Sequence, residues 1–147
     1  MNSILVALKD SMSSRSAVDY IAGLPFCPDD VHVTLLHVFR QMPASKEFMG
    51  EAFTKEEPAR LLAVLQSAKD KLVENGFNPD NIDIELGTES YPTISDGIIS
   101  YFRKGNFDMV VIARKNKSKA EEFVLGDVSI KLVRALAGTA VLVVKPM

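Results

Sequence analysis

The sequence predicts an open, doubly wound α/β fold, and three observations carry that prediction. Short runs rich in Val, Ile and Leu recur at residues 4–8, 31–39, 109–113 and 140–144. Three of them are nearly continuous rather than alternating, as in parallel strands buried on both faces. Helical periodicities lie between the runs, so strand and helix alternate four times before a last strand. That alternation argues for a parallel sheet with right-handed crossovers and helices on both faces.

Each element has its own local signal. The run 4–8 opens the sheet. Residues 13–22 then place Ala17, Val18, Ile21 and Ala22 on one side of a helix. After the strand at 31–39, residues 40–53 form the longest irregular piece, carrying Met42, Phe48, Met49 and Phe53. A loop of that length serves as a lid or a contact surface, but packing of these groups over the sheet end is the simpler expectation. Leu61, Leu65, Ala68 and Leu72 follow the spacing of an amphipathic helix that stops at Asn75-Gly76. Its start has two candidates: a capping box at Thr54-x-x-Glu57, or a slightly later first turn around Pro58. Ile82-Asp83-Ile84-Glu85-Leu86 alternates apolar and acidic residues, which suits a half-wet strand at a sheet edge. Ile94, Ile98, Tyr101 and Phe102 form a third helical stripe, entered through Pro92 and left near Gly105. Val128, Leu132, Val133 and Leu136 form a fourth, closed by Gly138.

Composition narrows the function classes. The chain of 147 residues fits one domain, 1–147, without internal repeat or linker. Its 47% hydrophobic and 24% charged content is that of an ordinary globular protein with a real core. A net charge of −2 argues against a general nucleic-acid or membrane-surface partner. Cys27 is the one cysteine, which excludes an intrachain disulfide and a cysteine-based zinc cluster and fits a reducing cytoplasm. With two histidines, His32 and His37, a histidine-rich metal site is not expected. The opening apolar run is too short for a secretory signal, and no run nears the ~20 residues of a membrane span. A cytoplasmic location is expected.

The chemistry concentrates between residues 108 and 129. Asp108-Met109-Val110-Val111-Ile112-Ala113 reads as a buried strand, Arg114-Lys115-Asn116-Lys117-Ser118-Lys119 as a basic loop, and Leu125-Gly126-Asp127-Val128-Ser129 as a helix start. In an open α/β sheet, phosphate is cradled at such a junction. Here the loop has almost no glycine. The basic run is more simply a solvated loop, partly balanced by Glu121 and Glu122. Other candidates are weaker. His37 sits on an apolar strand, where a packed core residue is the expectation. The serines at 11, 13, 14 and 16 read as helix-start residues. Cys27, between Phe26 and Pro28, has no basic neighbour to activate it. No serine, histidine and acid are spaced as a triad, and no general base is evident.

Taken together, six segments resemble the universal stress protein family. They are Ile4-Leu5-Val6-Ala7-Leu8 with Ser11 and Ser14 following; Leu35-Leu36-His37-Val38; Gly87-x4-Pro92-x-Ile94; Phe107-Asp108-Met109-Val110-Val111-Ile112; Leu125-Gly126-x-Val128-Ser129; and Ala140-Val141-Leu142-Val143-Val144. They occur in order, at the family's spacing, over almost the whole chain. The resemblance implies a five-stranded parallel sheet of order 3-2-1-4-5. It also implies a homodimer through the edge strand at 140–144, where antiparallel pairing would satisfy exposed backbone groups. Gly87 to Ile94 is expected to be the loop entering the third helix.

The resemblance also locates a nucleotide site. Carried onto this sequence, it falls on Ala7, Lys9, Val38, Ile112, Ala113, Lys115, Asn116, Gly126, Asp127, Val128 and Ser129. Nucleotide-binding members carry Gly-x2-Gly-x9-Gly-Ser/Thr after the fourth strand, where glycines let the backbone approach phosphate and the hydroxyl donates to it. Here the first two glycines are Ala113 and Asn116, Gly126 is kept, and the hydroxyl becomes Asp127. A carboxylate at a helix N-terminus caps the N–H groups that would hold phosphate. It also repels phosphate, by about 4 kcal/mol for two unit charges 4 Å apart at an effective dielectric of 20. The aspartate usual at the end of the first strand is Lys9 here, with Asp10 next to it. A Lys9–Asp127 ion pair is expected to replace the ligand's contacts. The sequence therefore suggests a non-enzymatic stress-response protein acting through protein partners, with no cofactor required. The alternative is a divergent ATP sensor using Lys9 and the basic loop at 114–119.

Overall fold

The computed structural model describes residues 2–8, 12–40, 50–113 and 128–145. The strands are β1 (Asn2–Ala7), β2 (Val31–Arg40), β3 (Ile82–Tyr91), β4 (Met109–Ala113) and β5 (Ala140–Val144). The helices are α1 (Met12–Ala22), α2 (Gly50–Glu74), α3 (Ile94–Lys104) and α4 (Val128–Ala135), with a short 3-10 turn at Pro79–Asn81. All strand pairs are parallel and the sheet order is β3-β2-β1-β4-β5. The expected α/β class and strand order are therefore correct.

Alternation along each strand sends side chains into two separate cores. Ile4, Val6, Val33, Leu35 and Val111 pack against Ala17, Val18 and Ile21 of α1 and Leu65 and Leu72 of α2. Leu5, Leu36, Val38, Val110 and Ile112 pack against Ile98 and Phe102 of α3 and Leu132 and Leu136 of the α4 end. Burial on both faces explains the continuous apolar runs of β1 and β4. β3 lies at a sheet edge, as its alternation predicts. The other edge, β5, keeps Val141, Leu142, Val143 and Val144 only half-buried.

Local chemistry sets several boundaries. At the end of α2, Gly76 has φ +97°, its N–H donates to the Val73 carbonyl, and Phe77 N–H reaches the Leu72 carbonyl at 3.1 Å. Those two bonds make a Schellman stop, which the Asn75-Gly76 pair predicts. α3 begins at a cap that the sequence analysis missed. Thr93 Oγ1 accepts from Asp96 N–H at 3.2 Å and donates to Asp96 Oδ2 at 2.7 Å.

Four expectations need correction. α2 starts at Gly50, upstream of both proposed starts, so Pro58 lies inside the helix. A proline there loses one hydrogen bond, and the packed face through Leu61, Leu65 and Leu72 carries the helix past it. The irregular stretch at 40–53 is shorter than expected: Arg40 ends β2, residues 50–53 open α2, and 41–49 lie outside the described residues. Gly87 to Tyr91 continue β3 rather than forming a loop, because pairing with β2 resumes at Phe39↔Ser90 after a register shift. Finally, Val133 is 61% exposed, since α4 turns Ser129, Leu132 and Leu136 inward instead.

Gly97 lets α3 approach the sheet closely. A Cβ there would sit 2.3 Å from Val38 Cγ1 and 2.8 Å from Tyr91 Cδ2. Val38 is buried and stiff at χ1, so it has little room to yield. Gly97→Ala should therefore destabilise the fold: overpacking of about 1–3 kcal/mol exceeds the ~1 kcal/mol gained in helix propensity. Urea unfolding of Gly97→Ala, Val38→Ala and the double variant should show favourable coupling between the two changes. Additive effects would place the strain elsewhere.

Candidate functional site

Strand order places a crevice at the carboxyl ends of β1 and β4. The chain leaves β1 toward β2 on one side, while β4 and β5 extend the sheet on the other. Open α/β sheets bind ligands where the winding reverses in this way. Here a cleft lies between these strand ends and two helices. It is lined by Ala7 and Leu8 after β1, Val38 of β2, Ile94 and Ile98 of α3, Ile112 and Ala113 of β4, and Val128 of α4. It is small, with an enclosed volume of about 30 Å³, and its mouth opens to solvent. All of these lining residues are apolar, although ligand pockets usually combine an apolar surface with a few placed polar groups.

The floor is held by backbone bonds and one imidazole. Ala7↔Ile112 is the last paired position between β1 and β4. Leu8 is held from the β2 side: its N–H donates to the Leu36 carbonyl at 2.8 Å, and His37 Nδ1 lies 2.9 Å from its carbonyl oxygen. A carbonyl cannot donate, so Nδ1 must carry the proton. His37 is half-buried rather than packed in the core, and its ring anchors the strand end. Gly87 serves the same corner, because a Cβ there would meet the His37 carbonyl at 3.2 Å. On the helix side, Ser95 is 1% exposed and its hydroxyl is satisfied by Thr93 Oγ1 at 3.0 Å.

Among the residues singled out by the sequence, Ala7, Val38, Ile112, Ala113 and Val128 meet around this one cleft. Ser129 is buried one residue further into α4 and does not line it. Lys9, Lys115, Asn116, Gly126 and Asp127 lie outside the described residues, as do the expected Lys9–Asp127 pair and the basic loop at 114–119. Leu8, Ile94 and Ile98 were missed as lining residues. The i, i+4 spacing of the two isoleucines already marked one helical face, but which end of the sheet it covers depends on strand order. Among the described residues, no group of His, Cys, Asp and Glu could hold a metal ion, and no helix is long and apolar enough to cross a membrane.

An open parallel sheet of this order, with a cleft at its switch point, defines a doubly wound class of α/β protein. The sequence profile of the Universal stress protein family matches residues 1–145, and the chain belongs to that family. Solved structures agree in fold. A universal stress protein in complex with cAMP is 19% identical with a TM-score of 0.69, over 97% of this chain and 95% of that one. Universal stress protein UspA from Lactobacillus plantarum is 15% identical with a TM-score of 0.72, over 97% of each chain. A universal stress protein from Archaeoglobus fulgidus is 16% identical with a TM-score of 0.69, over 99% of each chain. No curated protein matches the sequence.

The imidazole anchor makes a direct prediction. His37→Ala should leave the Leu8 carbonyl without its ring partner and destabilise the protein by about 1–3 kcal/mol. Chemical denaturation measures the loss. Hydrogen exchange should rise at Leu8 before it rises in the centre of β1. Unchanged exchange at Leu8 would mean that the backbone pairing to Leu36 suffices.

Proposed function

We propose that this chain acts in the stress response as a non-enzymatic cytoplasmic homodimer, working through protein contacts, with a nucleotide site that binds ATP weakly or not at all. One observation carries the reading: the residues that should hold phosphate are replaced. Ala113 stands at the first glycine position and borders the cleft. Asn116 and Asp127 stand at the second glycine and hydroxyl positions. The described walls offer no polar side chain to take over their task.

Dimerisation follows from the exposed edge. β5 is an apolar strand at the sheet edge, with no strand beyond it among the described residues, and such an edge is a liability unless covered. Antiparallel pairing with a second copy would cover it in an isologous interface. Ile130 and Val133 of α4 are also exposed, and they add apolar surface on the helix that packs against β5. The expected partners are other proteins, with neither nucleic acid nor membrane among them.

A second reading has one specific support. A structural neighbour is a universal stress protein in complex with cAMP. On that reading this chain is a divergent nucleotide sensor, with Lys9 and the 114–119 loop in place of the glycine cradle.

Calorimetric titration with ATP and Mg²⁺ separates the two. The parent should give no tight binding, and Asp127→Ser should gain it, because the substitution removes a carboxylate that repels phosphate. Tight binding by the parent would favour the sensor. Sedimentation equilibrium should give twice the chain mass at micromolar concentration, and a concentration-independent monomer would remove the dimer from the proposal.

A further inference from the structure

Charge is unevenly shared between the two helical layers. α3 and α4 carry Arg103, Lys104, Lys131 and Arg134 against one acid, Asp96, although the chain's net charge is −2. All of these cations are exposed. Arg103 joins the two helices: its Nη2 donates to the Ala135 carbonyl at 3.3 Å, at the end of α4. Ala135 directly follows Arg134, and Lys131 lies about one turn earlier. The Arg103 guanidinium keeps further N–H donors beyond that bond. Lys131 and Arg134 stand at i, i+3 on one helix, where like charges repel. Neither is in an ion pair among the described residues. Asp96 is about two turns from Arg103, and its carboxylate accepts from Thr93 Oγ1. Cations in a last helical turn suit the helix dipole, which accounts for Arg103, Lys104 and Arg134. Lys131 is in mid-helix and has no such role.

We propose that this α3–α4 face docks an acidic segment of a partner protein, whose carboxylates sit across Arg103, Lys131 and Arg134. The inference rests on the reading that the chain works through protein contacts, and it names the partner's chemistry. Planar guanidinium forks match carboxylates, and relief of the repulsion between Lys131 and Arg134 adds to the attraction. A long polyanion fits less well. Nucleic acid or an anionic membrane would extend past this small patch and meet the rest of a net-negative chain.

The test is fluorescence anisotropy of a labelled glutamate–serine peptide titrated with the full chain at low salt. Affinity should fall as salt rises. Lys131→Glu with Arg134→Glu should weaken binding at least tenfold. Arg15→Glu with Lys71→Glu makes the same change of net charge at exposed positions of α1 and α2, and should leave binding within about twofold. Lys131→Gln with Arg134→Gln gives a milder pair should the reversal misfold, and should weaken binding several-fold. Equal loss in both reversed pairs would assign the binding to net charge and overturn the proposal. So would the absence of peptide binding, or tighter capture of duplex DNA or phosphatidylserine vesicles by the same residues. Sedimentation of the Lys131 and Arg134 variants should match the parent. A changed mass would place these cations in a self-interface and overturn the proposal. Tight ATP binding by the parent would instead overturn the reading on which the inference rests, so the two failures are distinguishable.

Discussion

The structure depends on β1 being paired on both sides and buried on both faces. Ile4, Leu5 and Val6 are all 1% exposed or less. Ile4 and Val6 belong to the layer of α1 and α2, while Leu5 belongs to the layer of α3 and α4. β1 thus couples the two cores from the middle of the sheet, flanked by β2 and β4, which also face both. Its start is tied by Asn2 N–H to the Asp30 carbonyl and by Ser3 N–H to Asp108 Oδ2, both at 2.8 Å. The Asp108 N–H returns a bond to the Ser3 carbonyl at 2.7 Å. Clamping the amino end of β1 against β2 and β4 fixes where its carboxyl end emerges.

That emergence point is the cleft. Three otherwise separate features converge on it: the strand end held by His37, the close approach of α3 allowed by Gly97, and the start of α4 at Val128. Thr93 caps one N–H of the first turn of α3, that of Asp96, and donates in return to the Asp96 carboxylate. The carboxylate of Asp96 also lies in that first turn, where negative charge is favoured. The described lining of the cleft is apolar.

Much of this was legible in the sequence wherever the signal is local or periodic. Runs 109–113 and 140–144 coincide with β4 and β5, and Asn75-Gly76 marks the Schellman stop. Boundaries failed where tertiary pairing overrides local preference. Ser90 and Tyr91 are strand because Phe39 and Arg40 pair with them beyond a register shift, which no local pattern announces. Pro58 is tolerated in α2 because the downstream face is packed. In the site, Ala7, Val38, Ile112, Ala113 and Val128 were nameable through resemblance to the family's motif. Leu8, Ile94 and Ile98 were not, since their convergence is a property of the assembled sheet.

The sequence by itself determined the alternation of strands and helices, the two-faced burial of β1 and β4, and the Asn75-Gly76 stop of α2. Those are matters of side-chain identity and spacing, which exist before folding. Only the tertiary structure decided that Leu8 is held by His37, that α3 closes on Val38 through Gly97, and that Val133 faces outward. Each of these depends on distances between residues far apart in the chain, and such distances arise only when two cores pack around one central strand.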